Sequence, residues 1–274
     1  MLENTRNAGS GRLRRIEGRH NSLIKVLRQA FQHGELTVTG ECAIEGFRVI
    51  EEALRSGLRF RAVFVSESGQ SRAARLLPQI GAHVETVLLP DKLFASAVPS
   101  ETPQGLAALV HVKTHPVDEL LESTSTGPLL VVAGLQDPGN LGTILRSAEA
   151  FGAAGVVCGE GTVSIYNSKV VRASAGSVFR LSVVKVDLKT LIPALKARGF
   201  RLVATSSHKG TALPQADLGR QIAIFIGNEG AGVDKKLLSQ MDELIMIPHS
   251  PRVESLNAGI AASIILYEAA RRNA

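Results

Sequence analysis

The 274-residue chain is poor in cysteine and has no long apolar run, and each shortage closes a class of protein. Its two cysteines, Cys42 and Cys158, lie far apart with no CxxC or metal-ligand spacing. That argues against a disulfide framework or a cysteine zinc site and fits a reducing cytoplasm. The longest stretch that is apolar or small at nearly every position, Leu256 to Leu266, is well short of the roughly 18–20 residues that span a bilayer, so no membrane anchor is expected. The N-terminal charges are not followed by an apolar core of about 7–15 residues, so no secretory signal is read there. Walker A, GxSxG and HExxH motifs are all missing, which leaves NTPase, serine hydrolase and zinc protease chemistry without a motif.

What is present describes a folded protein with room for two domains, since 45% of residues are hydrophobic, 20% are charged and no tract is low in complexity. Lys plus Arg exceed Asp plus Glu by 31 − 25, a net charge of +6 that favours a polyanionic partner. Residues 1–34 hold seven of the cations (Arg6, Arg12, Arg14, Arg15, Arg19, Lys25, Arg28) against Glu3 and Glu17. This basic entry can contact phosphates, or it can be a solvated tail.

Residues 1–12, rich in Asn, Gly, Ser and Arg, read as disordered. Residues 13–113 then alternate helix and strand: helices over Asn21–Phe31, Ile44–Ser56, Ala73–Ile80 and Pro90–Ala97, strands over Leu36–Thr39, Ala62–Ser66, Val84–Leu88 and Leu106–Val112. The pattern is a small α/β domain. Residues 114–127, with Pro116 and the run Glu122-Ser-Thr-Ser-Thr-Gly127, read as a linker to a second domain at 128–274. There, Leu129–Ala133 has no polar alternation, the mark of a parallel strand covered on both faces. A turn at Asp137-Pro138-Gly139-Asn140 leads into a helix with apolar face Leu141, Ile144, Leu145, Ala148 and Phe151. Strands follow at Gly155–Cys158, Phe179–Val184, Arg201–Thr205 and Ile222–Ile226, with helices at Lys169–Ala175, Leu188–Ala197 and Lys235–Met241. Repeated β-α order predicts an open parallel sheet. The closing helix, apolar on nearly every side, must be buried all round, inside the protein or against another copy.

Open α/β sheets bind ligands at the C-terminal ends of their strands, and three segments stand there: Gly134–Arg146, Ile226–Gly232 and Ile247–Asn257. The first is a strand, a glycine-bearing turn and a helix start, and so invites a dinucleotide reading. Its glycines at 134, 139 and 142 do not make GxGxxG, which counts against an NAD-dependent oxidoreductase. The second offers close backbone approach around Glu229. In the third, Glu254, Ser255 and Asn257 sit where a loop meets an apolar helix, where a capping side chain and exposed N–H groups can hold a ligand, or simply start a core helix.

Together the segments are specific. NLGTILRSAEAFGAAGV at 140–156, IGNEGAGV at 226–233 and IPHSPRVESLNAGIAASIILYE at 247–268 resemble, in order and spacing, the three motifs of the SpoU (TrmH) family of RNA ribose 2'-O-methyltransferases. The stretch NSKVVRASAGSVFRLSV at 167–183 is also similar to that family. The first domain resembles, more loosely, the substrate-binding extension of many such enzymes, itself similar to kink-turn-binding ribosomal proteins.

The resemblance implies a SPOUT fold, an α/β parallel sheet whose C-terminal segment is threaded into a trefoil knot that forms the S-adenosylmethionine pocket. It implies cofactor contacts from Thr205, Ile226, Gly227, Ile247, Ser255 and Leu256. It implies a catalytic Arg146 with Asn140 as partner, and Glu229, Ser255 and Asn257 as polar residues around the reaction. An arginine side chain is always protonated, so Arg146 is expected to stabilise a developing alkoxide rather than to take its proton. The implied partners are RNA, ribosomal RNA before tRNA, and a second copy of the chain; the implied compartment is the cytoplasm. The sequence departs from the family at Pro251, where a glycine is usual, at Ala258-Gly259 in place of Val-Ser, and at His249 in place of methionine. Pro251 lacks an N–H, so one backbone contact of the cofactor loop is expected to be missing or moved. A non-catalytic RNA-binding or ribosome-assembly protein is the second reading, and the joint presence of Asn140, Arg146, Glu229, Ser255 and Asn257 argues against it.

Overall fold

In a computed structural model the described residues are 13–122, 127–219 and 221–273. The tail expected to be disordered, residues 1–12, lies outside them, as does 123–126 of the expected linker. The chain forms two compact units, the first running to Val112 and taking in Tyr166–Ser168, the second made of Lys113–Ile165 and the chain from Lys169 onward.

The first unit consists of β1 (Leu13–Arg15), α1 (Ser22–His33), β2 (Glu41–Glu45), α2 (Phe47–Arg55), β3 (Arg59–Ser66), α3 (Gln70–Ala73), β4 (Glu85–Leu89), α4 (Asp91–Ala97) and β5 (Leu106–His111). Its sheet runs β1-β4-β3-β5-β2, with β5 antiparallel to both neighbours and the other pairs parallel. Helix α1 starts where the Asn21 side chain accepts from the Leu23 N–H, ends at Gly34 in the left-handed region, and buries Ile24, Leu27 and Ala30. That is the face its spacing predicts.

Three expectations fail here. The strand expected at Leu36–Thr39 is a loop; the strand is β2, and the following helix starts at Phe47, not Ile44. All five β2 residues are buried, including a glutamate at each end, and such a strand shows no alternation to read. Glu41 is 1% exposed and accepts from Arg61 Nη1 at 3.0 Å, from Thr39 Oγ1 at 2.6 Å and from Thr37 Oγ1. The distant partner, Arg61, makes the buried carboxylate tolerable, and local pattern cannot show it. The helix expected over Ala73–Ile80 is absent: α3 ends at Ala73, and after a turn there is only a 3-10 segment at Leu77–Gln79, where Pro78 removes a backbone donor.

The second unit comprises α5 (Val117–Glu122), β6 (Leu129–Val132), α6 (Pro138–Ala150), β7 (Gly155–Cys158), α7 (Ser168–Ala173), β8 (Val183–Lys185), α8 (Leu188–Ala197), β9 (Arg201–Thr205), β10 (Thr211–Ala212), β11 (Ile222–Ile226), α9 (Lys235–Leu238), β12 (Glu243–Met246) and α10 (Ala258–Asn273). All seven strands are parallel, in the order β10-β12-β9-β11-β6-β7-β8. Its core joins Leu129 and Val131 of β6 and Phe225 of β11 to Leu191 and Leu195 of α8. Helix α5 falls inside the expected linker because Leu120 and Leu121 bury themselves in this core. The strand expected from Phe179 begins only at Val183, after a 3-10 turn that follows Gly176 at φ 88°.

The order of strands matters for the site. β9 and β10 are consecutive and joined by only residues 206–210, yet β12, much later in the chain, lies between them. Thr205 and Thr211 both register with Ile245, so the 206–210 loop crosses β12 at that level. Helix α10 is not buried all round: Ile260, Ile264 and Tyr267 are 53%, 37% and 54% exposed. Their spacing of four and three residues gathers them on one face. No helix among the described residues is long and apolar enough to cross a membrane.

Candidate active site

The strand ends of β6, β11 and β12 each deliver one polar side chain to a shared network. After β6 the backbone turns at Gly134, φ 75°, whose N–H donates to Thr162 Oγ1 at 3.1 Å and whose carbonyl accepts from Asn228 Nδ2 at 2.9 Å. Asp137 then caps α6 by accepting from the Asn140 N–H at 2.7 Å, with Pro138 in the first turn where its missing donor costs nothing. After β11 the loop closes on itself: Asn228 and Gly232 exchange backbone hydrogen bonds, and Asn228 Oδ1 accepts from the N–H groups of Gly230 and Ala231. Gly227 cannot take a side chain, since a Cβ there would overlap the backbone of Gly232 and Val233. This tight loop presents Glu229.

Glu229 Oε1 accepts from the Asp137 N–H and from Asn140 Nδ2, both at 3.1 Å. Asn140 Oδ1 in turn accepts from Asn257 Nδ2 at 2.8 Å, and Asn257 Oδ1 caps α10 through the Ile260 N–H at 3.2 Å. Each amide is used at both ends, so neither can flip without losing a bond. Desolvation works to raise the Glu229 pKa, but hydrogen bonds from its own backbone, Asn140, Asp137 and Gln136 outweigh it and hold the group below its ordinary value. Glu229 is therefore an ionised acceptor at neutral pH.

Beside this network lies a cavity of about 420 Å³, within the range of small-molecule sites. Thr205, Ile226, Gly227, Ile247, Ser255 and Leu256 all line it, together with Glu229. Thr205 donates its hydroxyl to the Phe225 carbonyl at 3.1 Å. Asn140 and Asn257 are tied to the cavity rim through Glu229. Arg146 is not drawn into the network; it is exposed on α6 and makes no hydrogen bond or ion pair among the described residues. The same helix is fastened to α10 by Ser147 Oγ and Ser263 Oγ at 2.6 Å, and by an edge contact of Phe151 with Tyr267.

Pro251 occupies the second position of a turn closed by the Val253 N–H on the Ser250 carbonyl at 3.0 Å, where proline's fixed φ suits and no donor is needed. Glu254, expected beside Ser255 and Asn257, lines the cavity too, and so do His208 and Lys209, which the motifs do not include. The position of the 206–210 loop at the C-terminal end of β9 was the available signal.

A parallel sheet whose strand ends gather a small-molecule cavity and a polar network defines an α/β enzyme that uses a bound small molecule. Residues 127–267 match the SpoU rRNA Methylase family, and residues 21–108 match the MRM3-like substrate binding domain. RlmP of Bacillus subtilis, a 23S rRNA (guanosine(2553)-2'-O)-methyltransferase, is 32% identical over 255 residues, 93% of this chain and 98% of its own. An AdoMet-bound rRNA methyltransferase from Sinorhizobium meliloti aligns with a TM-score of 0.79 and 25% identity, over 95% of this chain and 98% of that one. The SpoU methyltransferase AviRb from Streptomyces viridochromogenes, solved with AdoMet, gives 0.79 and 29%, over 93% and 98%. The chain belongs to the SpoU rRNA methylase family, enzymes that methylate RNA with S-adenosylmethionine.

The residues present fit that cofactor. Ile226, Ile247 and Leu256 give apolar walls of the kind an adenine needs, and the bare backbone at Gly227 admits close approach.

Proposed function

We propose that this protein methylates a ribose 2'-hydroxyl of large-subunit ribosomal RNA, with tRNA as the second reading. The observation that carries the proposal is the chain of hydrogen bonds Asn257–Asn140–Glu229, one residue from each of three strand-end segments, at the rim of the cavity. RlmP supports ribosomal RNA as substrate, and the match of residues 21–108 to a substrate-binding domain supports an RNA-holding first unit.

Bound S-adenosylmethionine supplies a methyl group on a positively charged sulfur. Gly227, Ile247 and Leu256 would hold its adenine end, with Thr205, Ile226 and Ser255 completing the wall. A ribose hydroxyl is a poor nucleophile at neutral pH, so the charge that builds on its oxygen during in-line attack must be stabilised. Arg146, cationic and unengaged, is suited to sit against the 2'-oxygen and the neighbouring phosphate. Asn140 fixes the start of the helix that carries Arg146, and ionised Glu229 with Asn257 fixes Asn140.

The strand β12 inserted between β9 and β10 supports a threaded C-terminal segment and hence the family's knot. The apolar face Ile260, Ile264 and Tyr267 supports a second copy as partner. A species of only 29 kDa in gel filtration would remove that partner. With ribosomal RNA as substrate the enzyme works in the cytoplasm.

Transfer of tritiated methyl from S-adenosylmethionine to separate unmodified rRNA and tRNA pools tests the substrate. Label in the ribosomal pool is expected; label in tRNA alone favours the second reading, and label in neither despite cofactor binding contradicts both.

A further inference from the structure

One side of the cavity carries groups that the reading above leaves without a task. His208 and Lys209 come from the loop crossing β12, and His249 from the segment that leaves β12; all three line the cavity. The two imidazoles lie 5.9 Å apart, centre to centre, tilted by 35°. His249 Nδ1 is 2.7 Å from the Ile247 carbonyl, which can only accept. Nδ1 therefore carries a hydrogen, so that in the neutral ring Nε2 is the acceptor.

The opposing loop is held just as firmly. The Ser206 N–H donates to the Ile245 carbonyl at 2.9 Å and the Lys209 N–H to Ser206 Oγ at 3.2 Å. Gly210, at φ 105°, is pressed where a Cβ would overlap the Leu244 carbonyl. Lys209 is the one lysine among the lining residues, which include no arginine. Of the two lining carboxylates, Glu229 is engaged by Asn140 and the Asp137 amide, and Glu254 is the other. A carboxylate entering this cavity finds its cationic partner only at Lys209, with His208 adjacent.

We propose that His208, Lys209 and His249 form the subsite for the amino-acid end of the cofactor: Lys209 and His208 hold its α-carboxylate, and His249 Nε2 accepts from its α-ammonium. The inference rests on the S-adenosylmethionine reading and assigns a wall that reading leaves empty. A zwitterion bridging the two pinned segments would also hold the crossing loop to the strand beneath it.

The test is calorimetric binding of three ligands to the full chain: S-adenosylmethionine, S-adenosylhomocysteine and 5'-methylthioadenosine, which keeps the nucleoside but lacks the amino-acid end. Lys209→Ala and His249→Leu should each weaken the first two about tenfold, the scale of one charge-assisted hydrogen bond, and leave methylthioadenosine within about twofold. His249→Gln, which keeps an acceptor, should recover most of the loss. Unchanged methylthioadenosine binding shows that a variant is folded, and exposed Lys209 supplies a second variant if His249→Leu does not fold. Equal losses for all three ligands, or no loss for any, would overturn the subsite. Wild-type protein that binds none of them would overturn the cofactor reading and the subsite with it.

Discussion

Glu41 in the first unit and Glu229 in the second are both held below the ordinary carboxylate pKa, and only Glu229 borders the cavity. Burial works to raise the Glu41 pKa, but Thr39 and Arg61 more than compensate. Glu229 shows the same balance, with Asn140 and backbone amides in place of the arginine. The difference lies in what each network leaves over. Around Glu41 the arginine, Arg61, is spent on the carboxylate, with His111 3.8 Å from the same oxygen. Around Glu229 only amides are spent, while Arg146 on the same network's helix stays free. A shifted carboxylate marks a site only when the groups around it still have bonding capacity to offer a ligand.

The sharpest way to break this contrast is to remove the two arginines in turn. Arg146→Ala should lower methyl transfer by at least about 100-fold, as loss of a transition-state donor does, with thermal stability unchanged. Arg146→Lys should recover little of it, because a point charge does not reproduce the planar fork. Arg61→Ala should do the reverse: denaturant titration should show about 1–3 kcal/mol of lost stability from the stranded Glu41, with activity per folded molecule kept. Glu229→Gln keeps an acceptor for Asn140 but loses the charge, and should cost about tenfold in rate and under about 1 kcal/mol in stability. Comparable losses of activity in the Arg61 and Arg146 variants would erase the distinction.

The smallest effect concerns pH. Hydrogen bonds from Arg271 and then Arg272 lower the Glu268 pKa to about 2. Arg272 also donates to the carbonyls of Leu213, Pro214 and Ala216, so the ionised carboxylate steadies the grip of α10 on that loop. A depressed carboxylate contributes stability above its unfolded value, near 4.5, and loses it as pH falls toward the folded one. Thermal melts from pH 5 to 2 should therefore fall less steeply in Glu268→Gln than in the wild type.

Much of this molecule could be read from local pattern, because much of it follows local rules. The face Leu141, Ile144, Leu145 and Ala148 is buried as its spacing requires, and β6 and β11 are buried at every position as parallel strands are. Helix α10 was legible as apolar but not as half exposed, since composition cannot say which of its faces meets the rest of the chain. Strand β2 was missed because its glutamates are satisfied by Arg61, Thr37, Thr39 and Ser100, far away or across a turn. The six cavity residues come from three separate strand ends; only the order of motifs joined them, as no periodicity could. The insertion of β12 between β9 and β10 has no local signature, whereas His208 and Lys209 had one, their place just after the end of β9.

The most direct measurement is a map of alkaline-resistant positions in unmodified large-subunit RNA treated with wild-type protein and with Arg146→Ala, S-adenosylmethionine affinity being measured for both. The account predicts one protected ribose with the wild type, none with the variant, and equal cofactor affinity. Protection by the variant, or methyl label that leaves every ribose cleavable, would contradict it.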